Sequence, residues 1–238
     1  MSAVQRQSGE AAKLLEMTLQ GCRHAQEGAH AACRAVTDGA PEFLADVRRC
    51  EEELDALDRR MNEEVTRVAF AGAAGAEARE LLACLKCVLE LERIGDLLLS
   101  FANRAQAVYG RLDAEDAREL AAMAGLVEKM LQDDETALRS KDVNLVLTIL
   151  RTDGEVDRLR NLLFMRHVEN REQQPLQESF HVVFMAQALE RAGDHAKNFA
   201  EEVVHLATGS SVRHLMRAQD KPDEVRFVEW MRQQEGRH

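Results

Sequence analysis

The chain has 238 residues and a formal net charge of −11 at pH 7, with 42 acidic side chains against 31 Lys and Arg. That balance excludes general binding to a nucleic-acid backbone, which needs clustered basic residues, and suits cation binding or a partner with a basic surface. Apolar residues make up 45%, aromatics only 4%, and there are three prolines; Ala, Leu, Glu and Arg dominate, so long helices with few breaks are expected. No window approaches about 18 consecutive apolar residues, which excludes a membrane-spanning helix. The segment Met1 to Glu10 is polar and lacks the apolar stretch of a signal peptide, so a cytoplasmic protein is expected.

The breakers divide the chain into helices at about 8–37, 42–70, 77–109, 114–139, 141–170 and 176–208, with a short seventh segment at about 222–234. Asp38-Gly39-Ala40-Pro41 stops the first helix and starts the second, Pro41 being suited to a first helical position. The second helix shows its period most plainly: Leu44, Val47, Cys50, Leu54, Leu57, Met61, Val65 and Val68 recur at spacings of three and four. Such a stripe buries itself against neighbours, and short connections make those neighbours antiparallel. Ala71 to Gly75 forms the next soft spot, Gly110 closes the third helix, and Asp113 is placed to cap the fourth. Only Ser140 separates the fourth from the fifth; Glu172 to Pro175 and Gly209-Ser210-Ser211 bound the sixth. After Pro222, the residues Val225, Phe227, Val228, Trp230 and Met231 make a short amphipathic helix, either a strap on the protein's own bundle or a docking helix for a partner.

Five cysteines, Cys22, Cys33, Cys50, Cys84 and Cys87, are an odd number and form no secreted framework. The close pair Cys84-x-x-Cys87 lies in a helical pattern and reads as two small core residues. His24 and His30 read as surface or packing residues of the first helix. No phosphate-binding glycine loop and no Ser/His/Asp order stands out.

The chain repeats itself. Leu91-Glu92-Arg93-Ile94-Gly95-Asp96, followed by Phe101-Ala102, matches Leu189-Glu190-Arg191-Ala192-Gly193-Asp194, followed by Phe199-Ala200. Upstream, Glu51-x-x-Leu54-Asp55-x-Leu57 matches Asp153-x-x-Val156-Asp157-x-Leu159. Two matches in the same order, at nearly equal offsets, mark a tandem duplication. The units are read as 1–110 and 111–209, each a three-helix bundle, with a tail at 210–238 carrying the short amphipathic helix. The fold class is therefore all-α.

Each unit carries two carboxylate pairs at i, i+4: Glu51/Asp55 and Glu92/Asp96, then Asp153/Asp157 and Glu190/Asp194. Residues four apart share a helix face, so two such helices side by side direct four carboxylates at one point. Oxygen-rich clusters of that kind suit Mg²⁺, Mn²⁺ or iron. At about 100° per residue the pairs fall beside or opposite the apolar stripes, which places them on the outer side of each bundle. A solvated acidic face is the plain alternative. Against it stand the repetition of all four pairs and the mid-helix Gly95 and Gly193, each of which costs up to about 1 kcal/mol relative to Ala. A ferritin-like site built from Glu178-x-x-His181 and Glu202-x-x-His205 fails, because both motifs lie on one helix roughly 36 Å apart at 1.5 Å per residue.

The Leu-Glu-Arg-x-Gly-Asp copies, the second continuing as His195-Ala196-Lys197-Asn198-Phe199-Ala200-Glu201, resemble the PhoU family over roughly residues 8–214, with Thr208 to His214 similar to that family's close. The resemblance implies two three-helix bundles whose acidic motifs hold metal clusters on the bundle surface, here Glu51, Asp55, Glu92, Asp96, Asp153, Asp157, Glu190 and Asp194. The ions implied are divalent or trivalent: iron, Mn, Mg or Zn. It implies a negative regulator rather than an enzyme, an adaptor between the phosphate ABC transporter with its ATPase subunit and the membrane sensor kinase, restraining uptake and the starvation response when phosphate is plentiful. A homodimer, cytoplasmic and peripheral at the inner membrane through its partners, without nucleic acid and without membrane insertion, completes that expectation. The sequence departs from the pattern where Ser100 and Asn103 stand in the places of Asn198 and Glu201, and at Gly72 to Glu77 before the third helix. A carboxylate-bridged metal-storage or redox protein is the alternative from another class.

Overall fold

A computed structural model describes residues 3–72, 75–169, 176–212 and 223–235, and among these the chain is helical, with no strand. The helices are α1 (Ala3–Thr37), α2 (Pro41–Phe70), α3 (Ala76–Val108), α4 (Ala114–Ser140), α5 (Asn144–Phe164), α6 (Leu176–Thr208) and α7 (Asp223–Glu235). A π-helical turn, Met165–Glu169, continues α5. The expected breaks at Glu172–Pro175, the closing Arg213-His214 and Pro222 lie outside the described residues.

The chain punctuates its helices with its prolines, glycines and capping acids. Pro41 opens α2, and the Asp113 carboxylate accepts from the Glu115 amide at 2.8 Å to cap α4. Gly39 and Gly209 adopt positive φ just beyond α1 and α6, the conformation that ends a helix most cheaply when no Cβ is present. Between α4 and α5 the structure differs from expectation: α4 runs through Ser140, and Lys141 makes the turn with φ +54. Left-handed backbone at a residue bearing a side chain costs roughly 1–2 kcal/mol. Asp142 Oδ1 then accepts the Asn144 amide at 2.9 Å and starts α5 three residues later than position 141.

Three helices of each unit pack together, and the two bundles then join through equivalent helices. Gln26 of α1 donates to Leu131 O and Glu135 of α4 at 3.2 and 3.0 Å, while His30 faces Glu128 at 3.4 Å. Lys86 of α3 pairs with Glu202 of α6 at 3.0 Å, Glu90 with His195 at 2.6 Å, and Arg111 with Glu178 at 2.9 Å. In both sets one number rises as the other falls, so the pairs α1/α4 and α3/α6 are antiparallel. Because α1 corresponds to α4 and α3 to α6 in the repeat, like faces like, as in an isologous dimer. That leaves α2 packed on α1 and α3, and α5 on α4 and α6, on the outer flanks.

The core is continuous across both bundles, from Leu19, Ala29 and Leu98 through Leu120, Val127 and Val146 to Phe199. The repeat-related Phe101 and Phe199 are both fully buried, each contributing on the order of 1.5–3 kcal/mol. A second cluster around Leu57, Met61, Leu81 and Val88 fills the far end of the first bundle. Cys84 and Cys87 lie in these cores, and all five cysteines are free thiols.

Candidate acidic cation sites

The repeated mid-helix glycines face the neighbouring helix of their own bundle. A Cβ at Gly95 would stand 3.6 Å from the Glu51 Cα, and one at Gly193 would stand 3.4 Å from Asp153 Oδ1 and 3.7 Å from Val156 Cγ1. A Cβ at Gly95 would also displace the Leu54 side-chain tip, 2.9 Å away, whereas one at Gly193 would meet only ordinary van der Waals contacts; both glycines lie where their helix meets its neighbour at the level of the carboxylates. The eight acids therefore form two sets of four, each shared by two helices: Glu51, Asp55, Glu92 and Asp96 on α2/α3, and Asp153, Asp157, Glu190 and Asp194 on α5/α6.

Their electrostatics follow from that crowding. Burial, then the charges of Asp96 and Asp55, pushes the Glu51 carboxyl up from its ordinary value. Burial and Asp96 do the same to Glu92. In the second set burial, reinforced by Asp194, raises both Asp157 and Glu190. Asp153 is pushed up to about 6 by burial, with Lys197 opposing the shift. Like charges gathered in a partly desolvated place favour either protons or a cation.

The sets differ in how they are neutralised. In the first, Arg59 pairs with Asp55 and Arg93 stands 3.4 Å from Glu92 Oε2, an oxygen that is buried and makes no hydrogen bond. In the second, the Lys197 ammonium contacts Asp153 at 2.8 Å and Asp194 at 2.9 Å, with Asp223 of α7 at 3.7 Å. Burial works against that charge, but Asp153 and Asp194 hold the ammonium protonated well above its ordinary range. Two cavities flank it. One of about 350 Å³ is lined by Arg191, Asp194, Asn198, Glu201 and Asp223. The other, of about 640 Å³, is lined by Asp153, Gly154, Asp157, Asp223 and Glu224.

One expectation is corrected. The carboxylates were placed on the outer side of each bundle, yet Asp153 is only 6% exposed. A helical wheel knows nothing of a neighbouring helix, and here the close approach of α6 at Gly193 and the stem of Lys197 cover Asp153. Asp96 and Asp157 are exposed, and the other five acids are half-buried.

Among the described residues no three His, Cys, Asp or Glu side chains converge as ligands of one ion. The donor chemistry fits a hard cation. Every donor is a carboxylate oxygen, five of the eight are raised by burial and by one another, and one set already holds an ammonium.

Other groups take positions that sequence reading missed. His167 of the π-helical turn places Nε2 3.0 Å from Asp116 Oδ1 and Nδ1 3.1 Å from Ser179 Oγ, although no Ser/His/Asp order stood out along the chain. All three are buried, and Asp116 is also engaged by Arg166 at 2.9 Å, so the trio clasps α4, the end of α5 and α6 together. Asn198 donates to Glu90 Oε2 at 3.3 Å across the α3/α6 joint. Glu178 and Glu202 are committed to Arg111 and Lys86, in keeping with the failure of the ferritin-like geometry. Their signals are contacts between distant segments, which no local spacing reveals.

The family model described as the PhoU domain matches residues 19–105 and again residues 120–203. The chain is 30% identical over 190 residues to the phosphate-specific transport system accessory protein PhoU homolog of Pseudomonas aeruginosa, covering 77% of this chain and 78% of that protein. To PhoU homolog 1 of Thermotoga maritima it is 28% identical over 182 residues, covering 75% and 78%. Among solved structures, that of PhoU from Pseudomonas aeruginosa matches with a TM-score of 0.79 at 25% identity, over 85% of this chain and 99% of the other. The phosphate transport system regulatory protein PhoU from Streptococcus pneumoniae shares the fold with a TM-score of 0.75 at 20% identity, over 87% and 99%.

Proposed function

The chain belongs to the PhoU family, and from that premise we propose that it is an accessory regulatory protein of phosphate-specific transport. The observation that carries this reading is the domain present twice, with an acidic set at the same place in each copy. On this reading it acts as a negative regulator of phosphate uptake and of the phosphate-starvation response. It serves as an adaptor between the ATPase subunit of the phosphate ABC transporter and the membrane sensor kinase. It is not an enzyme, works in the cytoplasm at the inner membrane through its partners, and functions as a homodimer. The net charge of −11 supports a partner with a basic surface. Among the described residues no helix is long and apolar enough to cross a membrane.

The acidic sets are part of the proposal. Glu51, Asp55, Glu92 and Asp96 would hold cations between α2 and α3, and Asp153, Asp157, Glu190 and Asp194 between α5 and α6. A bound iron, Mn, Mg or Zn ion supplies positive charge that neutralises the crowded carboxylates and ties the outer helix of each bundle to its neighbour. The protein's own residues set the geometry: α3 meets α2 at Gly95, α6 meets α5 at Gly193, and Lys197 balances the second set.

The test is a strain lacking this protein, grown with abundant phosphate and carrying a starvation-promoter reporter. The reporter is expected to switch on, and restoring the chain to switch it off. A reporter that stays silent in the deletion strain sinks the regulatory reading. Capture from solubilised membranes separates the rival. An adaptor recovers the transporter ATPase or the kinase, whereas a metal-storage or redox protein turns over oxygen or peroxide and recovers neither.

A further inference from the structure

The C-terminal helix α7 lies outside both matched copies of the repeat, yet its first turn reaches the second acidic set. Phe227 and Trp230 stack with ring centroids 5.6 Å apart and are 1% and 8% exposed, so the helix is seated on the protein's own core. Arg151 of α5 pairs with Glu224 at 2.6 Å. Arg226 holds Asp223 Oδ1 at 2.5 Å. Together these contacts fix Asp223 with its other oxygen, Oδ2, 3.7 Å from the Lys197 ammonium, and the residue borders both cavities beside it.

We infer that Asp223 is a fifth carboxylate of the second cation site, so that docking of α7 and cation binding at that site reinforce each other. The inference rests on the proposed reading of the acidic sets as cation sites. The α5/α6 carboxylates already hold one cation, the Lys197 ammonium, in contact with Asp153 and Asp194. Asp153 and Asp194 would have to be shared between a bound metal ion and the ammonium. A partly buried ammonium stripped of its partners is costly. Asp223 is a partner it retains without leaving the site. Asp223 Oδ2, the oxygen that Arg226 does not engage, also faces an incoming cation, and in partly desolvated surroundings its attraction exceeds the value in water.

The first set works differently. In the repeat alignment that pairs Glu92 with Glu190, Lys197 corresponds to Leu99, so the first set has no ammonium at that position. The two sites therefore have different controls: the second is coupled to the tail and the first is not. Linkage makes the coupling reciprocal, so whatever lifts α7 weakens cation binding at α5/α6, and a bound cation holds α7 down.

The experiment uses the full chain with the first set silenced by Glu92→Gln with Asp96→Asn, and Mn²⁺ alone as the probe. Affinity is read by calorimetry, and docking of α7 by hydrogen exchange of residues 223–235. Asp223→Asn is expected to lower Mn²⁺ affinity about fivefold or more, in the usual range of coupling between sites. Phe227→Ala, which loosens α7 without touching a carboxylate, is expected to lower it comparably. Mn²⁺ is expected to slow exchange in α7 of the parent and not of Asp223→Asn. Unchanged or tighter binding in either variant overturns the inference, as does α7 exchange indifferent to Mn²⁺. If the silenced parent binds no Mn²⁺ while the chain with its first set intact does, the cation reading of the second set is what has failed, and the inference falls with it.

Discussion

A Cβ at Gly95 would stand 2.9 Å from Leu54 Cδ1, so a side chain in the middle of α3 would have to displace the Leu54 tip of α2. Leu54 is buried in the core beneath the first acidic set, and the same contact holds Glu51 near Asp96. Gly125 of α4, by contrast, has nothing within 4 Å of its Cβ position. Gly125→Ala is therefore expected to raise stability by about 0.5–1 kcal/mol, the helix-propensity gain alone. Gly95→Ala has the same propensity gain offset by overpacking of roughly 1–3 kcal/mol, so it is expected to be neutral to destabilising. Urea unfolding of the two variants measures the difference, and equal stabilisation would remove the packing explanation.

Asp134 is fully buried on α4, neither carboxyl oxygen has a hydrogen-bond partner, and Cys22 of α1 and Cys87 of α3 are close enough to feel its charge. Burial pushes its carboxyl well above the ordinary range. A folded value above the unfolded one of about 3.9 means that the folded state binds the extra proton. The contribution of this group is fully present below about pH 4 and is lost as pH rises toward the folded value. Asp134→Asn should accordingly gain on the parent in unfolding free energy as pH goes from 4 to 8. Asp134→Leu, which removes an unsatisfied polar group, is expected to stabilise by about 1–3 kcal/mol at pH 7. A pH-independent difference between parent and Asn variant would contradict the assignment.

Trp230 is the only tryptophan in the chain, so its emission reports on α7 directly. Because α7 is packed chiefly on α5, it is expected to release before the bundles unfold. Emission should then change at lower urea than helical circular dichroism, and Phe227→Ala should move the first transition and leave the second in place. A single coincident transition would show that α7 is part of the cooperative core.

The thiols should differ in reactivity. Cys22 and Cys87 are fully buried and burial raises both well above the ordinary thiol value, whereas Cys33 is half-exposed and raised less severely. Iodoacetamide at pH 8 is expected to label Cys33 first and to spare Cys22 and Cys87 until the protein unfolds. Peptide mapping after timed labelling checks the order.

Most of the helices were legible because their signals are local. The stripe from Leu44 to Val68, Pro41, Asp113 and the glycines at 39, 110 and 209 act on residues within a turn or two of themselves. The α4/α5 boundary differs from expectation by one residue at the end of α4 and by three at the start of α5, because Lys141 takes a left-handed turn that its residue type does not advertise. The π-helical turn at 165–169 was missed because His167 is held from outside by Asp116 and Ser179. The eight carboxylates were legible as i, i+4 pairs, and the burial of Asp153 was not, because α6 and Lys197 supply it.

The sequence by itself determined that this is a duplicated helical protein, since repeats, breakers and helical periods are written in short stretches of chain. It also determined which eight acids are paired, since four residues is one helical turn. Only the tertiary structure decided that equivalent helices join antiparallel across one continuous core, that Lys197 neutralises one acidic set and not the other, and that Asp223 reaches it from the tail. Those outcomes depend on contacts between residues far apart in the chain, where burial and charge are set by neighbours that no local pattern names.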